Sequence, residues 1–146
     1  MPYTYEYPRM AVTADAVVFE LSSPPRVLLI RRASEPFKGK WAIPGGFVDM
    51  DESAQAGAVR ELKEETGVDG VALQFFGHFD SVDRDPRQRT LSLAFWGAVE
   101  PGAVKVMGSD DASEAGWHAV DALPELAFDH QLILEKAIAA FGSERP

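Results

Sequence analysis

Cysteine is absent from the 146-residue chain, which excludes a disulfide framework and thiol chemistry. No apolar run approaches the roughly 18 residues of a membrane-spanning helix, and the N-terminus lacks the apolar core of a signal peptide. Basic residues are the minority, with 14 Lys and Arg against 23 Asp and Glu and a formal net charge of −9. That balance argues against generic nucleic-acid or anionic-membrane binding. It leaves room for an anionic small substrate, because bound metals and local arginines set the field inside a site. Internal repeats, low-complexity tracts and interdomain linkers are also missing. The expectation is a single domain over residues 1–146, cytoplasmic, and large enough for its own core.

What the chain does have is concentrated between Gly45 and Val68. A glycine-led loop comes first. Asp51, Glu52 and Ser53 then supply helix-start chemistry, and Gly67 is a natural residue to end the helix. Between them run about thirteen residues without proline, enough for about three to four turns. At roughly 100° per residue, Glu65 lies about 40° to one side of Glu61 and Glu64 about 60° to the other. Gly57 falls between Glu61 and Glu64 one turn earlier and leaves space beside them. Arg60 sits on the outer edge of the same face, and Ala54, Ala58, Leu62 and Val59 form an apolar stripe for a core. Three carboxylates this close repel one another unless a cation lies among them. Oxygen ligands suit a hard divalent ion, Mg²⁺ by default and Mn²⁺ as a substitute. A solvated acidic face softened by Lys63 and Arg60 is the competing reading of the helix alone.

The flanking chain reads as strands and loops. Tyr3, Tyr5 and Tyr7 alternate before Pro8, as an extended surface edge strand would. Ala11 to Leu21 and Val27 to Ile30 are β-rich and joined by Ser22-Ser23-Pro24-Pro25, which predicts a hairpin. Arg31 and Arg32 end the second strand, and one of them is placed to reach a substrate phosphate as a planar fork. Pro44-Gly45-Gly46 allows a sharp turn and close approach to a ligand. After the helix, Val71 to Val82 predicts one or two strands interrupted at Gly77. Asp83 to Arg89 is a charge-dense loop that concentrates Arg84, Arg87 and Arg89, and Leu91 to Val99 is another strand. Met107 to Glu114 reads as an acidic loop, and Trp117 is expected to pack rather than bind. A second helix follows, with Asp129 as candidate N-cap and Ile133, Ala137, Phe141, Leu134 and Ile138 at four-residue steps. Strands around one helix with another at the end imply a mixed sheet with helices on both faces.

The central stretch resembles the full signature of the Nudix hydrolases: Gly46, five residues, Glu52, seven residues, then Arg60-Glu61-Leu62-Lys63-Glu64-Glu65-Thr66-Gly67-Val68. The resemblance implies the Nudix α/β/α sandwich and a pyrophosphohydrolase. It also implies Glu61, Glu64 and Glu65 as metal ligands, joined by a carbonyl of Gly45 or Gly46. Glu52 and Arg60 become the supporting ion pair. Glu61, Asp110, Asp111 and Glu114 remain open as general base. Three flanking stretches are similar to the bacterial ADP-ribose pyrophosphatase branch: Tyr7-Pro8-Arg9 leading into Val12-Thr13-Ala14-Asp15, Arg84 to Arg87 with Leu91 to Ala94, and Leu126 to His130. The implied substrate is a nucleoside diphosphate linked to another moiety, ADP-ribose foremost, with Arg31, Arg84 and Arg87 as contacts. Two alternatives stand beside it, a nucleoside triphosphate-sanitising enzyme and a non-catalytic ADP-ribose sensor. The chain is acidic, ends soon after its terminal helix and carries the complete signature, so an enzyme is expected. No nucleic-acid or membrane partner is expected, and a homodimer is left open.

Overall fold

The computed structural model describes residues 2–107 and 112–144. Its organising strand is β1 (Ala11–Glu20), buried from Thr13 to Glu20. Successive side chains leave a strand on opposite faces, and here both faces are covered. Ala14, Ala16 and Val18 pack with Ala58 and Leu62 of α1 (Ala54–Thr66). Val17 and Phe19 pack with Ile133, Leu134, Ala137 and Phe141 of α2 (His130–Glu144). The result is a helix on each face of a mixed sheet, the expected α/β/α sandwich.

The sheet runs β3 (Trp41–Ala42), β2 (Arg26–Arg32), β1, β6 (Thr90–Val99), β5 (Gln74–Phe79), with β4 (Gly45–Phe47) on β1 and β7 (Ala112–Ala119) on β2. β1 and β6 are parallel along their full length, from Ala11 opposite Thr90 to Glu20 opposite Val99. β2 pairs antiparallel with β1 only at Phe19 and Glu20, the predicted hairpin. At the other end of β1, Thr13, Ala14 and Asp15 pair with Phe47, Gly46 and Gly45 instead. The handover is closed by the Ala16 amide, which donates to the Pro44 carbonyl at 2.8 Å. Because β2 leaves β1 early, the glycine loop docks on the middle of the sheet.

Helix α1 starts and stops as its sequence requires. The Ser53 hydroxyl accepts from the Ala56 amide at 3.1 Å, and Gly67 takes φ +76° while its amide donates to the Lys63 carbonyl. Two expectations need correction. Val59 is half-exposed rather than part of the core stripe, since one residue past Ala58 is a turn of roughly 100° away from the sheet. The tyrosines at 3, 5 and 7 form no strand and stay exposed, although the Tyr3 and Tyr5 rings stack at 6.2 Å. Pro2 and Pro8, each without an amide donor, bracket the segment. Asp129 directly precedes α2 and its carbonyl accepts the Ile133 amide at 3.3 Å, while its carboxylate is engaged by Arg84. The expected break at Gly77 is a register irregularity between Phe75 and Gly77. Trp117 packs against the α1-side core. Part of the expected acidic loop, including Asp110 and Asp111, lies outside the described residues, and β7 has begun by Ala112. Among the described residues no helix is long and apolar enough to cross a membrane.

Candidate active site

Arg60 is the hub of the α1 face. Its guanidinium donates to Glu52 from Nη2 (2.7 Å) and Nε (3.0 Å), to Glu61 from Nη1 (2.8 Å), to Glu64 from the same nitrogen (3.2 Å), and to the Phe47 carbonyl (3.1 Å). Glu52 also accepts from the Asp49 amide at 2.9 Å, so the loop before the helix is tied to its second turn. Hydrogen bonding to Arg60 holds the Glu52 carboxyl at about 2, and the same bond holds Arg60 above its ordinary value. Gly57 makes room for this pair: a Cβ there would lie 3.0 Å from Glu52 Oε1.

The three candidate ligands differ in their surroundings. Glu65 is buried and accepts the Gly45 amide at 2.7 Å, which locks the glycine loop to the helix. Glu61 presses on Gly46, where a Cβ would sit 2.6 Å from its carboxyl carbon. Burial raises the Glu61 carboxyl above its usual range, against the pull of Arg60. Glu64 is more open, with its side chain 55% exposed. Among the described residues no three acidic or histidine side chains are already drawn to metal-holding spacing; Arg60 bridges Glu61 and Glu64, and Gly45 holds Glu65. The donor types nevertheless fit a hard divalent ion: carboxylate oxygens packed closely on the backbone of two glycines, which bring no side chain of their own.

Beside the loop lies a cavity of about 120 Å³. Gly45, Gly46 and Glu65 form one part of its wall, and Arg32, Arg84 and Arg87 another. Arg84 is almost fully buried, donating to Asp129 from Nε (2.9 Å) and Nη2 (2.6 Å) and to Ser92 from Nη1 (2.7 Å). Ser92 in turn bonds Thr13 on the neighbouring strand. Asp15 lies in the same network, and burial pushes its carboxyl up to about 7 although Arg84 pulls it down. Its Oδ2 has no hydrogen-bond partner. His130 accepts the Ile43 amide on Nδ1 at 3.0 Å, and burial lowers its pKa to about 4, so the ring is neutral.

Glu52, Glu61 and Glu64 thus gather on Arg60, Glu65 bonds Gly45, and Glu61 lies against Gly46. Arg31 does not join them. It donates to the Gly39 carbonyl and to Glu114 at 2.9 Å and is not among the cavity residues. Its neighbour Arg32 lines the cavity instead, because adjacent strand residues point to opposite faces. Glu114, considered as a base, is likewise paired with Arg31 away from the cavity. Arg84 lines the cavity with every guanidinium nitrogen already bonded. Arg87 is gripped by Asp85 at 2.8 and 3.0 Å. Asp15, Asp85, Phe128 and His130 were not singled out for a role in the site by the sequence; for Asp15 the buried charge in an otherwise apolar strand was the available signal.

The family model described as the NUDIX domain matches residues 10–141. An ADP-ribose pyrophosphatase of Methanocaldococcus jannaschii is 40% identical over 129 residues, 88% of this chain and 73% of that protein. The ADPR responsive transcriptional repressor NtrR of Acinetobacter baylyi is 31% identical over 95% of this chain, which spans only 57% of the repressor's length. Among solved structures, the NUDIX domain of Shewanella oneidensis NrtR complexed with ADP ribose superposes with a TM-score of 0.83 at 26% identity, covering 92% of this chain and 90% of that one. With the family model matching residues 10–141 and a relative 40% identical over 88% of this chain, the chain belongs to the Nudix family, as a hydrolase of phosphoric anhydride bonds.

Proposed function

We propose that the chain hydrolyses ADP-ribose, or a close nucleotide sugar, to AMP and ribose 5-phosphate, with Mg²⁺ or, in its place, Mn²⁺. The observation that carries this reading is one cavity lined by Gly45, Gly46 and Glu65 of the signature together with Arg32, Arg84 and Arg87. Glu61, Glu64, Glu65 and a carbonyl of Gly45 or Gly46 would hold the ion. When bound, it neutralises phosphate oxygens and activates water. The chain's own residues do the rest. Arg60 and Glu52 fix the ligand helix to the glycine loop, Glu65 fixes that loop to the helix, and Arg32 and Arg87 offer guanidinium N–H groups to a diphosphate. Arg84 acts through Asp129 and Ser92 by holding the 83–89 loop against the start of α2. Of the carboxylates considered as general base, Glu61 is the described one that reaches the glycine loop.

The test is a panel of nucleotide sugars and nucleoside triphosphates with Mg²⁺ or Mn²⁺, with products separated by chromatography. AMP and ribose 5-phosphate from ADP-ribose support the proposal. Pyrophosphate and a nucleoside monophosphate from a triphosphate support the sanitising alternative. The similarity to a NUDIX domain solved with ADP ribose also favours a sensor reading, which predicts ADP-ribose binding without turnover under either metal.

A further inference from the structure

Phe128 combines three features that the site as described does not use. Its backbone sits at φ +52°, a left-handed conformation that bulky side chains rarely adopt and that persists only where neighbours over-determine it. Here they do. The Ala127 amide donates to the Trp41 carbonyl at 2.8 Å, Asp129 holds Arg84, and His130 accepts from Ile43. The ring is steadied by Phe37, whose centroid lies 4.8 Å away at 60°. Two guanidiniums then rest on that one ring, Arg32 at 5.0 Å and Arg87 at 5.4 Å from its centroid, and Arg87 also lies 5.3 Å from the Phe47 ring, which closes its other side.

Two like charges on one aromatic ring need compensation. Arg87 has Asp85, whose carboxyl stays below its usual range because the Arg87 hydrogen bonds outweigh burial. Arg32 has no carboxylate partner among the described residues; its Nε donates to the Pro36 carbonyl at 2.7 Å. Burial and the nearby Arg87 both lower its pKa, though not enough to discharge a guanidinium. Both arginines line the cavity together with Gly45, Gly46 and Glu65. Asp85 lines it too, and of the two arginines on the ring Arg87 is the one in an ion pair among the described residues, while Arg32 feels Glu65, Asp85 and Glu35 only at longer range.

We propose that Phe128 is a positioning residue that holds Arg32 and Arg87 as a two-cation receptor for the diphosphate of the substrate. This deepens the function proposed above and rests on it for the identity of the nucleotide. The ring attracts each guanidinium by its face, and the strained backbone places it where a less constrained loop would not. Arg32 is the charge left for the ligand; Arg87 is preset by Asp85. Phe128 itself touches no reacting atom.

The experiment has two readouts on the intact chain. The first is inorganic pyrophosphate titrated calorimetrically in EDTA, where no metal contributes. The second is KM against kcat for ADP-ribose with Mg²⁺. Phe128→Asn removes the ring while tolerating positive φ. It is expected to weaken pyrophosphate about tenfold, as loss of two cation–π contacts implies, and to raise KM with kcat nearly kept. Phe128→Tyr should recover most of that loss. Arg32→Gln, at a half-exposed site that should fold regardless, should weaken pyrophosphate at least as much. The proposal is overturned if wild-type protein binds no pyrophosphate without metal, if Arg32→Gln binds it normally, or if folded Phe128→Asn does. A fall in kcat at unchanged KM in Phe128→Asn also overturns it. If the pyrophosphate pattern holds but ADP-ribose is never cleaved, the receptor stands and the substrate reading fails.

Discussion

Replacing Asp129 with Asn keeps the shape of the side chain and removes the charge that faces Arg84. The Arg84 side chain is 4% exposed, whereas Asp129 is 20% exposed. The consequences of breaking the pair should therefore be unequal. Asp129→Asn strands a guanidinium that solvent can barely reach, and removing one partner of a buried pair costs about 3–5 kcal/mol. Ser92 still accepts one of its N–H groups, and Asn can accept another, so about 3 kcal/mol is the working figure. Arg84→Met retains much of the volume and leaves a carboxylate with access to water, so it should cost less, about 1–2 kcal/mol. In a domain near 150 residues, 3 kcal/mol corresponds to a fall in Tm of about 6–12 °C. Thermal and urea unfolding of both variants and of the double variant supply the check. The double variant should be more stable than Asp129→Asn alone, because the stranded charge has gone. A Tm for Asp129→Asn within 2 °C of wild type, or Arg84→Met as the costlier change, would refute this account of the loop anchor.

Three further outcomes are expected. Glu64→Gln and Glu65→Gln each remove a charged ligand while keeping shape, and turnover should drop about 10²-fold or more; near-normal rates at saturating Mg²⁺ would remove them from the site. Glu52→Gln and Arg60→Ala should weaken activity or metal affinity about 10- to 100-fold through misplaced ligands, and an unchanged Mg²⁺ titration with unchanged turnover would show that the pair is only structural. His130 is held neutral in the fold, with its pKa lowered from 6.5 to about 4 by burial. Its contribution to stability is complete above pH 6.5 and is lost as pH falls toward 4, because the unfolded chain takes up the proton first. Wild-type protein should lose about 2 kcal/mol more than His130→Gln between pH 7 and pH 5, and parallel unfolding curves would contradict the assignment.

The ligand helix was legible in the sequence because everything that shapes it is local. Ser53 and Gly67 mark its ends, and a 3.6-residue period is enough to set Glu61, Glu64, Glu65 and Arg60 on one face. Gly46 and Gly57 were legible as small residues, though not the carboxylates they accommodate. Arg31 and Arg32 show where that kind of reading stops. Adjacent strand residues face opposite ways, and β2 has a register irregularity between these two against β7, so composition could not say which one meets the cavity. The rest of the site is joined across long stretches of chain. Arg84 finds Asp129 45 residues later, and Asp15 meets Gly45 only because β2 leaves β1 early and β4 takes its place. Phe128 gathers Arg32 and Arg87 from β2 and a distant loop. No periodicity carries such meetings, since they depend on strand order and on which backbone groups the packed sheet leaves to be paired. The sequence alone determined the family signature and the carboxylate face; the tertiary structure decided which arginines share a cavity with Glu65 and the glycine loop.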